Sequence, residues 1–237
     1  QEQAYADLQH AFHELFQDRT REGRKLAQKV LSVFLNLMTA YPDQPYGHQP
    51  VLRPVTREPL VVPQSSGAPD EETEKDRRAL EIIRAKVSAG ERVLLYVNWV
   101  RLDSRTRLKR LLIKAGIRTE IMEDTVPPRK REEWVENHLR QGMQVMITNP
   151  GLVETGLDLN DFTTLIFYDV AFKLFTFRQA SRRSWRINQT APRVEVYILY
   201  YRDTMQERAV RLMASKLAVV GVIEGGVLTD EGLAAMS

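Results

Sequence analysis

Gln179, Arg183 and Arg186 stand four and three residues apart within QASRRSWRINQ. On a helix that spacing puts one amide and two guanidiniums on a single face. Guanidiniums stay charged and present a planar fork of donors, so the trio suits the oxygens of a polyphosphate. Taken alone, arginines at helical spacing are usually a solvated face with local ion pairs. A second candidate lies upstream in TNPGLVETGLDL, which holds Thr148, Asn149, Gly156 and Asp158. An aspartate in a glycine-containing loop is by default a turn or cap residue.

The elements around these residues give them a setting. A charged helix starting near Glu71 ends before Gly90, and VLLYV, 93–97, reads as a buried strand. A helix from Asp103 stops at Gly116 and leads to the strand IRTEIM. A further helix from Pro128 stops at Gly142, ahead of the strand QVMIT, 144–148. TLIFYD, 164–169, is a fourth strand, and after a helix through Arg183 comes a fifth, VEVYILYY, 194–201. Glycines sit where helices should end, because a left-handed cap costs least there. Short apolar strands alternating with helices predict an α/β fold, a parallel sheet with helices on both faces. In such sheets ligands bind beyond the carboxyl ends of the strands, where both candidate segments begin.

Ahead of the α/β region, residues 1–41 read as two amphipathic helices. Leu8, Phe12, Leu15 and Phe16 recur at helical spacing, as do Leu26, Val30, Val33, Phe34, Leu37 and Met38 after a break near Gly23. Residues 42–70 hold seven of the eleven prolines and form an extended connector, whose PLVVP could add an edge strand. The lobe proper spans 71–203, and 204–237 is a C-terminal helical extension.

Composition narrows the classes. At 237 residues and 43% apolar the chain can bury a core and is not wholly disordered. Without cysteine it has no disulfide, thiol nucleophile or zinc–thiolate site. No run of about eighteen apolar residues suggests a membrane span, and an intracellular location follows, bacterial cytoplasm or eukaryotic nucleus. An opening Gln1 in place of methionine is what a piece of a longer polypeptide would show. Net charge is only +3, but nine basic residues against three acidic ones lie between Lys173 and Arg211, a strip suited to phosphate or nucleic acid.

The combination and order of these motifs resemble the second RecA-like lobe of superfamily 2 helicases and translocases. ERVLLYVNWV looks like the strand of motif IV that opens that lobe. VMITNPGLVETGLDLNDFTTLIFYD looks like motif V with its following strand, and QASRRSWRINQ like motif VI. The trailing Gln189, and the helical stretch ending in LMTAYPDQP, are similar to the Swi/Snf-like branch. Two positions depart from it: Asn188 stands where motif VI usually has glycine, and Arg182 where that branch usually has aspartate.

The resemblance implies a C-terminal motor lobe of an ATP-dependent DNA, rather than RNA, helicase or translocase. It puts Arg183 and Arg186 on the arginine-finger positions, which stabilise charge on the γ-phosphate. It puts Gln179 near the same phosphate, Gly156 and Asp158 at the nucleotide, and Thr148 with Asn149 on the nucleic-acid track. ATP with magnesium is the implied cofactor, held mainly by an N-terminal RecA-like lobe. Nothing in the chain reads as G-x-x-x-x-G-K-S/T or as a strand ending in a DEAD-like acidic pair. The chain by itself is therefore expected to be inactive, although its parent would hydrolyse ATP. The alternative is a non-catalytic α/β module of the same shape that binds nucleic acid or a protein.

Other residues carry weaker signals. His10 and His13 share a helix face without a third ligand, so no metal is expected. Trp99 and Trp134 read as core, and Trp185 as packing against a partner lobe. Arg129, Lys130 and Arg131 read as a solvated helix start, with phosphate contact as the rival reading.

Overall fold

A computed structural model of the chain describes residues 1–69, 71–98, 104–153, 157, 159–170 and 193–223, the last seven for backbone alone. Two helices come first, α1 (Glu2–Gln17) and α2 (Arg21–Ala40). The break between them falls at residues 18–20 rather than at Gly23. Thr20 caps α2 by accepting the Gly23 N–H at 3.0 Å, and the Asp18 carboxylate in turn accepts the Thr20 N–H at 2.9 Å. Gly23 lies inside the first turn, where a Cβ would collide with the Asp18 carboxylate. The apolar stripes meet through Leu8, Val30, Phe34, Leu37 and Met38, with Tyr5 and Tyr41 sealing one end. Phe16 and Val33, expected on those stripes, stand 36% and 52% exposed, so the buried seam is narrower than the periodicity suggests.

The proline-rich stretch is extended, buried where it leaves α2 and at Val51 but largely exposed elsewhere. Its strands β1 (Val51–Leu52) and β2 (Pro59–Val61) pair antiparallel with each other, forming a separate two-stranded sheet. The strand expected in PLVVP is real but adds no edge to the main sheet. Val51 is buried with the α1–α2 core, which ties this hairpin to the helices.

The main sheet has β3 (Val93–Tyr96), β4 (Thr119–Met122), β5 (Val145–Thr148), β6 (Thr164–Phe167) and β7 (Glu195–Ile198) in the order β4-β5-β3-β6-β7. Every pairing is parallel and in simple register, with Tyr96 opposite Thr148 on one side and Phe167 on the other. Because strand side chains alternate, the two faces carry different cores. Val93, Leu95, Val145, Ile147 and Ile166 pack under α3 (Glu74–Ser88) and α4 (Ser104–Lys114) through Ala79, Ile83, Leu108 and Leu112. Leu94, Tyr96, Met146, Leu165 and Phe167 pack on the opposite face with Val135 of α5 (Arg131–Arg140) and Phe162. Burial on both faces explains why these strands are continuous apolar runs.

Local signals set the helix ends. Thr73 and Asp76 form a reciprocal capping box at the start of α3, with bonds of 3.1 and 2.8 Å. Gly90 (φ +82°) and Gly142 (φ +87°) take the left-handed conformation just beyond α3 and α5. A last helix, α6 (Met205–Ile223), follows β7. Met205 at its start is buried in the α1–α2 core, so the N-terminal helices and the start of α6 share one packed unit.

Candidate functional site

Since the five strands run parallel, their carboxyl ends lie along one edge. At that edge three side chains tie the central strands together. The Asp169 carboxylate, just past β6, accepts the Asn98 backbone N–H at 2.7 and 3.0 Å. The Asn98 amide donates to the same carboxylate at 2.7 Å and to the Asp169 carbonyl at 3.3 Å. On the other side of β3, the Asn149 amide donates to the Asn98 carbonyl at 3.1 Å and to the Val97 carbonyl at 3.4 Å. The Asn149 side-chain oxygen (Oδ1) accepts the Gly151 N–H at 2.8 Å and fixes the turn that leaves β5. Side chains thus supply the hydrogen bonds that the ladder loses when the strands end.

Thr148 closes β5 fully buried, with its hydroxyl donating to the Met122 carbonyl of β4 at 3.4 Å. Asn149 is half-buried at the rim. Of the site residues that the motif resemblance supplies, only Thr148 and Asn149 are described. Gly156, Asp158, Gln179, Arg183 and Arg186, with Trp99 and Trp185, lie outside the described residues, as does most of the basic strip. Two arginines of that strip that are described make local ion pairs: Arg193 with Glu195 at 2.6 Å and Arg211 with Glu207 at 3.0 Å.

Beside this edge lies a buried polar cluster that no local pattern announces. Lys75 at the start of α3 pairs with Asp43 and donates to the Gln206 side-chain oxygen (Oε1) at 2.8 Å. The Gln206 amide, in the first turn of α6, donates to Asp43 and to the Thr39 carbonyl, both at 2.8 Å. Arg107 of α4 pairs with Asp76 at 3.1 Å, and the Tyr168 hydroxyl donates to Asp76 at 2.8 Å. Asp43, Lys75, Asp76 and Arg107 are each at most 5% exposed. Four formal charges, two of each sign, thus join the end of α2, the starts of α3, α4 and α6, and the end of β6. The Lys75 ammonium also lies 5.5 Å from the Tyr168 ring centre and 4.8 Å from that of Tyr201.

Electrostatics follow from this burial. Desolvation pushes the Asp43 pKa up, while Lys75, Gln206 and Arg107 pull it back. Desolvation also raises the Tyr168 hydroxyl well above its ordinary value, keeping it a neutral donor. Burial alone would lower the Arg107 pKa, but Tyr168 and Asp76 outweigh it and the net shift is upward. The guanidinium therefore remains charged at all ordinary pH.

Several weaker candidates resolve into structure. Trp134 is half-buried and stacks on His138, their ring centres 3.9 Å apart. Arg131 was expected at a solvated helix start, yet it is 6% exposed and donates to the Val126 and Leu152 carbonyls at 3.1 and 2.6 Å. His10 pairs with Glu14 and His13 with Gln17. Among the described residues no group of three or more His, Cys, Asp and Glu could hold a metal ion. No described helix is long and apolar enough to cross a membrane. A cavity of about 860 Å³ opens between α1–α2 and the β1–β2 hairpin, lined by Leu15, Leu26, Lys29, Arg53 and Leu60, away from the strand ends.

A parallel five-stranded sheet covered on both faces, with its polar edge at the strands' carboxyl ends, is a RecA-like lobe. Residues 74–188 match the helicase conserved C-terminal domain family. The chain is 32% identical over 143 residues to Chromodomain-helicase-DNA-binding protein 1-like of Mus musculus, covering 60% of this chain and 16% of that protein. It is 25% identical over 166 residues to ATP-dependent helicase fft1 of Schizosaccharomyces pombe, covering 69% of this chain and 17% of that one. The fold is similar to the crystal structure of the C-terminal part of the Fun30 ATPase domain, with TM-score 0.56, 16% identity, and coverage of 71% of this chain and 50% of that one. Residues 74–188 are thus similar to helicase C-terminal domains, and the relatives found agree with the Swi/Snf-like resemblance that the motifs carry. The chain spans about one-sixth of the length of these two relatives.

Proposed function

We propose that the chain is the C-terminal motor lobe of an ATP-dependent helicase or translocase that acts on DNA in preference to RNA. The observation that carries the reading is the stitched edge. In sequence, the stretch with Gly156 and Asp158 follows β5 and the stretch with Gln179, Arg183 and Arg186 follows β6, the two strands flanking β3. Two segments leaving one edge on either side of a central strand suit a nucleotide-facing surface.

Arg183 and Arg186, with Gln179, would offer positive charge to the γ-phosphate, and Gly156 and Asp158 would meet the rest of the nucleotide. The nucleic-acid track would begin at Asn149, supported from below by Thr148. Bound ATP with magnesium would supply the phosphoryl group transferred to water. No lysine phosphate loop reads in the sequence, so in this proposal most of its binding would fall to an N-terminal lobe. Lobe closure would then bring the two guanidiniums to the phosphate, and opening would release product.

In an enzyme carrying both lobes, Arg186→Ala should lower ATPase turnover by about two orders of magnitude or more while leaving DNA affinity nearly unchanged. Normal turnover in that variant would falsify the assignment. The purified chain should bind duplex DNA weakly, with affinity falling steeply as salt rises. Salt-insensitive binding would favour a protein-binding module instead.

A further inference from the structure

Asp169 is 2% exposed and spends its carboxylate on a neighbouring strand. Its two oxygens hold the backbone N–H and the side-chain amide of Asn98, and its carbonyl holds that amide from a third direction. Asn98 passes the connection on, since its own carbonyl accepts from Asn149. The ends of β6, β3 and β5 are therefore bound in series through three side chains. The residue before Asp169 is held just as firmly, with the Tyr168 hydroxyl on Asp76 and its N–H on the Tyr96 carbonyl at 3.0 Å. Two successive residues are thus fixed immediately upstream of the stretch that carries Gln179, Arg183 and Arg186 in sequence. Backbone amides at the end of a ladder could have been left to water, yet here a buried carboxylate takes one. A buried carboxylate tolerates desolvation only when its acceptors are filled, so this arrangement specifies one geometry at the edge.

We propose that Asp169 is a positioning residue for ATP hydrolysis. Its clamp on Asn98 fixes the end of β6, from which the chain runs on in sequence to Arg183 and Arg186, and through Asn149 ties that end to the end of β5. This rests on the motor-lobe reading above and names the device by which the two strand ends keep a fixed relation. A small error in placing a charge-stabilising group costs rate much more than binding, so the clamp acts on turnover.

The test is a double-mutant cycle in an enzyme carrying both lobes, comparing Asp169→Asn, Asn98→Asp and the swapped pair N98D/D169N. Asn98→Asp sets two carboxylates against each other, whereas the swapped pair restores one carboxylate facing one amide. Each single variant should lower kcat by about 10- to 100-fold, with KM for ATP held within about twofold. The swapped pair should recover most of the loss, with thermal unfolding midpoints showing that each protein is folded. Should one single variant fail to fold, the other single variant and the swapped pair decide the matter. Wild-type turnover in the folded single variants would overturn the proposal, as would a loss that the folded swapped pair does not recover. Arg186→Ala run alongside keeps the two ideas apart. Full turnover in Arg186→Ala sinks the motor reading, whereas loss in Arg186→Ala with none in the Asp169 and Asn98 variants sinks the clamp alone.

Discussion

The buried charge cluster and the stitched strand edge are neighbours, joined at Tyr168 and Asp169, but they are built on different principles. Around Lys75 and Arg107, full charges are removed from water and answered by opposite charges and neutral hydrogen-bond partners drawn from five elements. At Asn98, Asn149 and Asp169, two amides and one carboxylate are answered largely by backbone groups of adjacent strands. The first arrangement fixes how whole elements sit on one another. The second fixes how the chain leaves the sheet. A mutation in the cluster should therefore be read in stability, and one at the edge in function.

Lys75→Met gives the largest effect and tests that contrast most directly. Removing one partner strands the Asp43 carboxylate in the interior, with an expected loss of about 3–5 kcal/mol by denaturant titration. Replacing both partners, as in D43L/K75M, should recover much of that loss, because no uncompensated charge remains. If the single variant loses less than about 1 kcal/mol, the cluster contributes far less than its burial implies.

Smaller effects separate individual hydrogen bonds. Tyr168→Phe keeps the ring but removes the hydroxyl that donates to Asp76 and accepts from Arg107, and should cost about 1–3 kcal/mol by the same titration. Thr73→Ala, which removes the α3 cap, should cost about 1 kcal/mol. Neither substitution should alter DNA affinity measured at matched salt, since both lie in packing rather than on the proposed track.

The smallest effect is a pH dependence at the amino ends of the strands. Lys86 bridges Glu91 at 3.3 Å and Glu195 at 2.8 Å. Burial would raise the Glu91 pKa, but hydrogen bonds from Thr164 and Lys86 outweigh it, and the net shift is downward. Glu195 is lowered first by its bond from Lys86 and then by Tyr197. Both carboxylates are more acidic folded than unfolded, so their stabilisation is present above the unfolded pKa of about 4.3 and lost as pH falls through the folded values. Asp43, shifted upward, has the opposite sign and favours the folded state as it takes up its proton. Lys86→Ala should accordingly flatten the fall in thermal midpoint between about pH 5 and pH 3. An unchanged slope would show that this bridge does not control acid stability.

Much of the fold is legible in the chain because parallel strands buried on both faces must be apolar throughout. VLLYV, QVMIT and TLIFYD announce themselves for that reason, and Gly90 and Gly142 mark helix ends where an L side chain would be strained. The edge is half legible. Motif resemblance points to Thr148 and Asn149, but Asn98 has no spacing signal, since its partner Asp169 is 71 residues away. Lys75 is hidden more completely. In DEETEKDRR it reads as one more solvated charge, and only the fold reveals that it is 4% exposed. Arg131 misleads in the same way, for a basic residue at a helix start looks solvated until its carbonyl partners arrive from other segments.

Composition and pattern by themselves determined the α/β alternation and the helical pair with its proline-rich connector, and the order of the motifs carried the resemblance to a helicase C-terminal lobe. Periodicity, glycine caps and apolar runs are local properties, written within a few turns of chain. Only the tertiary structure decided which charges are buried and which amides close the sheet's edge. A polar group can leave water only when partners from distant segments converge on it, and that convergence is absent from any single stretch of sequence.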